Sequence, residues 1–208
     1  GVQTCALPIF NGAIVNMAQN YVGSNNINLL LPNGQFGTRL HGGDDSASER
    51  YIFTQLNPLT GFIFPDVDDA VLNYLNDDGT LVEPEYYVPI IPFALINGIS
   101  GIGTGFSCNI APYNPKQIIQ SLQSMLKNES IEEYTFIPYY EGFKGTITPM
   151  QMKDGIKYLI KGNYKRLDEN TIQIIELPIG TWTTAYKQFL EDLIEGDSKK
   201  KKIGRAHV

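Results

Sequence analysis

The sequence predicts an α+β protein in two parts, with a boundary near residues 110–114. Two observations carry this. Helical apolar spacing and short alternating runs share one chain of 208 residues, enough for one or two modest domains. The charge pattern also changes midway. From Phe10 to Tyr113 there are two basic residues, Arg39 and Arg50, against ten acidic ones, whereas Asn114 to Lys202 holds thirteen basic against twelve acidic.

In the first part, Ala13–Val22 is helix-like, with Ile14, Met17, Ala18 and Tyr21 on one face, and Gly23-Ser-Asn-Asn26 stops it. Ile27–Leu31 is a strand candidate ended by the turn Pro32-Asn-Gly34. Gln35–Gly43 reads as a polar, glycine-rich loop. Ser46–Leu56 alternates enough around Tyr51 to permit a strand, and Asn76-Asp-Asp-Gly79 is a turn. Val88–Asn97 is apolar but carries Pro89 and Pro92, which predicts a buried irregular or edge segment.

In the second part, Asn114 is a good N-cap and Pro115 a good first helical residue, with Ile118, Ile119, Leu122, Met125 and Leu126 following at helical spacing. Gly145–Ile147, Ile156–Ile160 and Ile172–Leu177 read as strands of an antiparallel meander, with a turn near Asp168-Glu-Asn170. Tyr186, Phe189, Leu190, Leu193 and Ile194 predict a closing amphipathic helix with Gly196 as its C-cap.

Composition narrows the function. No apolar run approaches the ~20 residues of a membrane helix. No cysteine pair has metal-ligand or disulfide spacing. Net charge is −6, so broad attraction is not what would hold the first part on a nucleic acid. Any phosphate chemistry there must use Arg39 and Arg50.

Both termini are expected to be translated adapter. Ile203–Val208 can be encoded by ATC GGA AGA GCA CAC GTC. The reverse complement, read one base in, gives ACG TGT GCT CTT CCG AT, which translates as Thr-Cys-Ala-Leu-Pro and a codon compatible with Ile. Thr4–Ile9 carries that same sequence. Residues 1–9 and 203–208 are therefore set aside as non-native, expected to be poorly ordered, and the gene is expected to continue in both directions. Cys108 and His41 remain as the sole cysteine and histidine, which removes most material for Cys/His schemes.

Tyr51 is one of twelve tyrosines, and packing is the ordinary role. Its neighbour, however, is Arg50. A phenol with a pKa near 10 needs positive charge or a base to act as nucleophile, and arginine matches phosphate bidentately. The pair suits phosphodiester attack. Gly98–Gly105 invites a phosphate-loop reading, but it lacks the Lys-Ser/Thr of a Walker loop and the glycine spacing of a dinucleotide fingerprint. A tight backbone crossing is the better account of it. Asp66, Asp68, Asp69, Asp77 and Asp78 lack a calcium-loop register and read as solvated surface.

Several segments together resemble one family. They are Ala18–Ile27, Leu29–Arg39, Asp45–Thr54, Glu83–Pro92 and Leu95–Ser107, followed by Phe143–Ile147 and Glu176–Thr183. The run is similar to the breakage–reunion region of type IIA DNA topoisomerases, closer to the eukaryotic and large-virus enzymes than to bacterial gyrase. It covers nearly all of residues 11–196.

The resemblance implies a partial, N-terminally truncated winged-helix domain over residues 10–112. The start of an α/β tower-type domain over 113–202 follows it. Tyr51 is then the catalytic nucleophile and Arg50 its transition-state partner. Arg39 is expected near the cleaved backbone, with Gln35, Thr38 and His41 as further DNA contacts. Ile110 falls where the family inserts an apolar wedge between base pairs. Ala111 and Pro112 follow it, so the loop is expected to be slightly less stiff than where Pro follows directly. Glu49 stands where small or Pro residues are common, and its charge is expected to weaken phosphate approach slightly.

The implied activity is that of an ATP-dependent type II topoisomerase homodimer, which cleaves both strands of double-stranded DNA through a 5′-phosphotyrosine intermediate, passes a second duplex with ATP directing the passage, and religates. Mg²⁺ and ATP would be bound by domains outside this chain, and the chain alone is expected to be inactive. The implied home is the nucleus for a cellular enzyme, or a viral factory or cytoplasm for a large DNA virus. Two alternatives stand beside it: a non-catalytic winged-helix DNA-binding module in which Tyr51 merely packs, and a nucleotide-binding enzyme built on Gly98–Gly105.

Overall fold

The computed structural model describes residues 3–153 and 155–195. Among these, five helices accompany four two-stranded antiparallel sheets, so the molecule is α+β and built from hairpins.

Helix α1 (Gln3–Ala18) ends four residues short of the sequence expectation. The cause is local. Asn25 Nδ2 donates to the carbonyls of Asn16 at 2.6 Å and Gln19 at 2.8 Å, satisfying end-of-helix acceptors, while Gln19 Nε2 reaches the Phe36 carbonyl at 3.0 Å. At its other end the helix includes residues 3–9, which departs from the expectation that this segment is poorly ordered. Leu7 and Ile9 in that stretch are exposed. Residues 203–208 lie outside the described part of the chain.

Ile27–Leu31 and Ser46–Leu56 form no regular strands. They meet instead through two isolated antiparallel bridges, Leu30 with Leu56 and Asn33 with Phe53. Hydrogen bonds from Asn33 to Phe53 and back (3.1 and 2.9 Å), from Leu31 N to Gln55 O (2.8 Å) and from Asn57 N to Leu29 O (2.9 Å) make this a loose two-stranded stem. Residues 34–52 project from it as one arm.

Asn57 then caps a short helix, α2 (Pro58–Ile63), by accepting from Leu59 N, and a 3-10 turn (Asp66–Val71) follows. The Asn76 turn forms as its chemistry predicts: Oδ1 accepts from Gly79 N at 2.7 Å, closing the hairpin of β1 (Tyr74–Asp77) and β2 (Thr80–Pro84). Helix α3 (Phe93–Asn97) replaces the irregular segment expected after Pro92. Gly98–Gly105 is not a phosphate loop leading into a helix. It contributes β3 (Ile99–Gly103), which pairs with β4 (Phe106–Ile110) from Ile99↔Ile110 to Gly103↔Phe106.

Helix α4 (Pro115–Leu126) starts as predicted, with Asn114 Oδ1 accepting from Lys116 N at 2.9 Å. Of its apolar stripe only Ile118 is buried, and Leu126 is exposed. The expected meander is two separate hairpins: β5 (Thr146–Met152) with β6 (Gly155–Lys161), and β7 (Asn163–Arg166) with β8 (Ile172–Glu176). Gly162 alone links β6 to β7. A hairpin needs about two loop residues to reverse the chain, so the chain passes from one hairpin into the next without folding back. Helix α5 (Thr183–Glu195) closes the described chain. Its expected C-cap, Gly196, lies outside the described residues.

Asparagines stitch the two parts together. Asn26 Nδ2 donates to the carbonyls of Ile96 (2.8 Å) and Tyr139 (3.0 Å), and its Oδ1 accepts from Glu141 N at 2.8 Å. Asn97 adds bonds within the first part: Oδ1 accepts from Ile27 N at 2.9 Å and Nδ2 donates to Ile27 O at 2.8 Å. Ile96, whose carbonyl accepts from Asn26, is fully buried.

Replacing Asn26 with Ala leaves three backbone groups without partners. At about 0.5–1.5 kcal/mol per bond, Asn26→Ala is expected to destabilise the chain by roughly 2–4 kcal/mol in urea unfolding. A loss below about 0.5 kcal/mol would show that water replaces the carboxamide and that the joint is not held here.

Candidate functional site

The arm of residues 34–52 carries every candidate residue of the first part except Ile110. Its geometry begins with glycines. Gly37 has φ +102° and lies so close to Gly43 that an added Cβ would meet its Cα at 2.6 Å. Gly42 has φ +66°, and a Cβ there would strike the Trp182 indole. Only glycine allows both the left-handed backbone and these approaches.

Asp45 braces the arm from inside. Its Oδ1 accepts from Thr38 N at 2.7 Å, and its Oδ2 accepts from Thr38 Oγ1 at 2.6 Å and Gln35 Nε2 at 3.1 Å. The Thr38 hydroxyl and then its N–H hold the Asp45 carboxyl below the ordinary aspartate range, with a smaller contribution from His41. Gln35 and Thr38, singled out as DNA contacts, are thus both tied to this carboxylate. His41 is exposed on the arm.

Tyr51 sits on the return limb, in a 3-10 turn (Glu49–Tyr51) whose Tyr51 N–H donates to Ser48 O at 2.9 Å. Its side chain is 70% exposed, so it packs little against the rest of the described chain. The Arg50 guanidinium carbon lies 5.9 Å from the ring centroid, within cation–π range. A phosphate reaching the phenol oxygen would find a planar cation alongside. Burial, and next the charges of Asp44 and Asp45, push the Tyr21 phenol up.

Glu49 makes a hydrogen bond with Ser48 Oγ at 3.5 Å. Its carboxyl is held low, first by its own backbone N–H and then by Asn11, with Arg50 contributing least. The negative charge is therefore satisfied mainly by groups other than Arg50.

Arg39 is placed differently from Arg50. Its guanidinium pairs with Glu176 at the end of β8, Nη1 to Oε1 at 2.5 Å, and Nη2 donates to Leu177 O at 2.8 Å. Ile110 ends β4 and is half-buried, lining a cavity with Tyr140, Tyr158 and Ile160. The more exposed apolar side chains of that hairpin are Ile102 and Phe106, near its tip. Sequence reasoning missed Asp45, Glu176 and Trp182 as supports. Glu176 and Trp182 fall in a motif that carried the family resemblance, yet nothing local marks what they touch.

The family model for the A-subunit of DNA gyrase/topoisomerase IV matches residues 10–206. DNA topoisomerase 2 of Arabidopsis thaliana is 56% identical over 87% of this chain, and mouse DNA topoisomerase 2-alpha is 52% identical over 89%. Each match covers 12% of the relative, so the chain spans about an eighth of the length of these proteins. A crystal structure of the Plasmodium falciparum topoisomerase II DNA-binding, cleavage and re-ligation domain superposes with a TM-score of 0.83 at 45% identity. The match covers 91% of this chain and 25% of that one.

Because the folded Asp45 pKa is depressed, its bonds contribute stability above the ordinary aspartate value of about 3.9. That contribution is lost as pH falls through the lower folded value. Wild-type stability should therefore decline below about pH 4 more steeply than that of Asp45→Asn, when both are followed by chemical unfolding across pH 2–6. Parallel curves would remove Asp45 as the brace of the arm.

Proposed function

The chain belongs to the family of DNA gyrase/topoisomerase IV A-subunits and is a segment of a eukaryotic-type topoisomerase II breakage–reunion region; on that premise, we propose that Tyr51 is the nucleophile that cleaves DNA in the complete enzyme. The observation that carries this is the exposed Tyr51 ring with the Arg50 guanidinium beside it, on an arm braced from within. In this reading residues 10–112 are the truncated winged-helix region and 113–202 the start of the tower-type domain.

The reaction is a transesterification. The Tyr51 oxygen attacks a phosphorus of the DNA backbone and gives up its proton. The bond from phosphorus to the 3′-oxygen breaks, and the 3′-hydroxyl leaves protonated. A 5′-phosphotyrosine remains, and the reverse attack reseals the strand. The bond energy is retained in the phosphotyrosine, so resealing needs no ATP. Arg50 would neutralise the charge that grows on the phosphate oxygens, which is worth most when the donor is already aimed. Gln35, Thr38, Arg39 and His41 would meet the backbone beside the cut. The substrate is double-stranded DNA and the working form a homodimer.

Mg²⁺ and ATP belong to the complete enzyme in this reading. Among the described residues no three His, Cys, Asp or Glu side chains cluster as metal ligands, so no step is assigned to a metal held by this chain. Among them, too, no helix is long and apolar enough to cross a membrane. The enzyme would work in the nucleus if cellular, or in a viral factory or the cytoplasm if from a large DNA virus.

Ile110 would act by wedging between base pairs, costing a few kcal/mol of unstacking that the bend repays in contacts. From its half-buried place at the root of the β3–β4 hairpin it must turn outward to do so. With the missing regions supplied by a relative, Ile110→Ala should reduce DNA bending read by fluorescence transfer, and cleavage with it. Unchanged bending with lost thermal stability would make Ile110 a packing residue.

In the same completed dimer, Tyr51→Phe should abolish covalent DNA adducts trapped by denaturant while leaving fold and DNA binding nearly intact. Arg50→Lys should be severe, since lysine keeps the charge but not the planar fork. An adduct that survives in Tyr51→Phe moves the nucleophile elsewhere.

A further inference from the structure

Arg39 faces two demands. As an arm cation it should meet phosphate, yet its guanidinium is already engaged by Glu176 and the Leu177 carbonyl. The pair is mostly out of water, with side-chain exposures of 22% for Arg39 and 4% for Glu176. Nor is Glu176 free to move. Its Oε2 accepts from Lys144 N at 3.0 Å, and its Oε1 also accepts from Leu177 N at 3.0 Å. Next along the chain, Leu40 O accepts from Thr184 N at 3.0 Å, which fixes the backbone from which Arg39 extends.

A carboxylate locked by two backbone donors locks the plane of the guanidinium that it binds. Arginine carries five N–H donors in a fixed fork. The contacts with Glu176 and Leu177 use two of them. A phosphate met by the remaining donors meets a group already held in place, so less side-chain entropy is lost on binding. The pair is also neutral as a whole, so it contributes little long-range pull. Its contact with phosphate is short-range, which suits an arm whose surroundings are acidic.

We infer that Glu176 is a positioning residue for DNA cleavage: it holds Arg39 so that the unused donors of the guanidinium face the backbone of the cut strand. This rests on the reading that Arg39 touches that backbone, and the two can be tested apart.

The test grafts residues 10–195 in place of the matching segment of the Arabidopsis relative. Five proteins are compared: the wild-type graft, Arg39→Ala, Glu176→Gln, Glu176→Asp and the double substitution of Arg39→Ala with Glu176→Gln. Duplex DNA affinity is measured against salt, KM and kcat for relaxation are separated, and thermal unfolding is recorded. Arg39→Ala should weaken binding and lower the slope of log affinity against log salt by about one. Glu176→Gln should lower the slope similarly and raise KM about ten-fold with kcat within about two-fold, the mark of lost binding rather than lost chemistry. Glu176→Asp should recover part of the affinity, and the double substitution should bind no worse than Arg39→Ala.

An unchanged salt slope in Arg39→Ala overturns the phosphate contact and the inference with it. A changed slope in Arg39→Ala beside a wild-type slope in Glu176→Gln overturns the inference alone, leaving Glu176 a structural brace. Tighter binding by Glu176→Gln overturns it too, because Arg39 would then act best when released. If Glu176→Gln does not fold, Glu176→Asp is judged by the same slope.

Discussion

A carboxylate with so little exposed surface stays charged only if donors surround it. Glu176 has Arg39, the Lys144 N–H and the Leu177 N–H around it. Those donors come from the arm, the approach to β5 and the exit of β8, so one charged group ties three distant stretches. Removing one partner of a buried ion pair costs about 3–5 kcal/mol, because the other is left uncompensated. Trp182 extends the same joint. Its indole packs against Gly42 and meets the Tyr21 ring edge-on at 5.9 Å. The arm that presents Tyr51 is thus held from behind by residues 176–184.

On the proposal that Tyr51 meets phosphate, this arrangement accounts for how an acidic first part could offer the site. The nearby carboxylates of Asp45 and Glu49 are engaged within the protein, Asp45 by Thr38 and Gln35 and Glu49 by Ser48. Arg39 is balanced by Glu176, which leaves Arg50 as the cation beside the exposed phenol.

What was legible in the sequence was local. Asn114-Pro115 opened α4, Asn76–Gly79 closed a hairpin, and Asp168 Oδ1 bonds Asn170 N in the turn predicted there. In each case the side chain acts on backbone two or three residues away, so sequence order alone places the partners. The closeness of the Arg50 guanidinium to the Tyr51 ring was readable too, because the two residues are adjacent in the chain. Where the prediction failed, a neighbour decided. The single residue Gly162 turned an expected meander into two hairpins, and Asn25 ended α1 early by reaching back to its carbonyls.

The sequence by itself determined the α+β class, the family, the cap that opens α4 and the turns, and it singled out Tyr51 and Arg50 as candidates. Tertiary structure alone decided which of the two early arginines is tied to a buried carboxylate. Arg39 and Arg50 are the same residue type in the same polar stretch, and no spacing rule separates them. The difference comes from Glu176 and Leu177, more than a hundred residues on, folded against one guanidinium and not the other. Contacts across that separation are set by how hairpins and helices pack, and packing is a property of the whole chain rather than of any window along it.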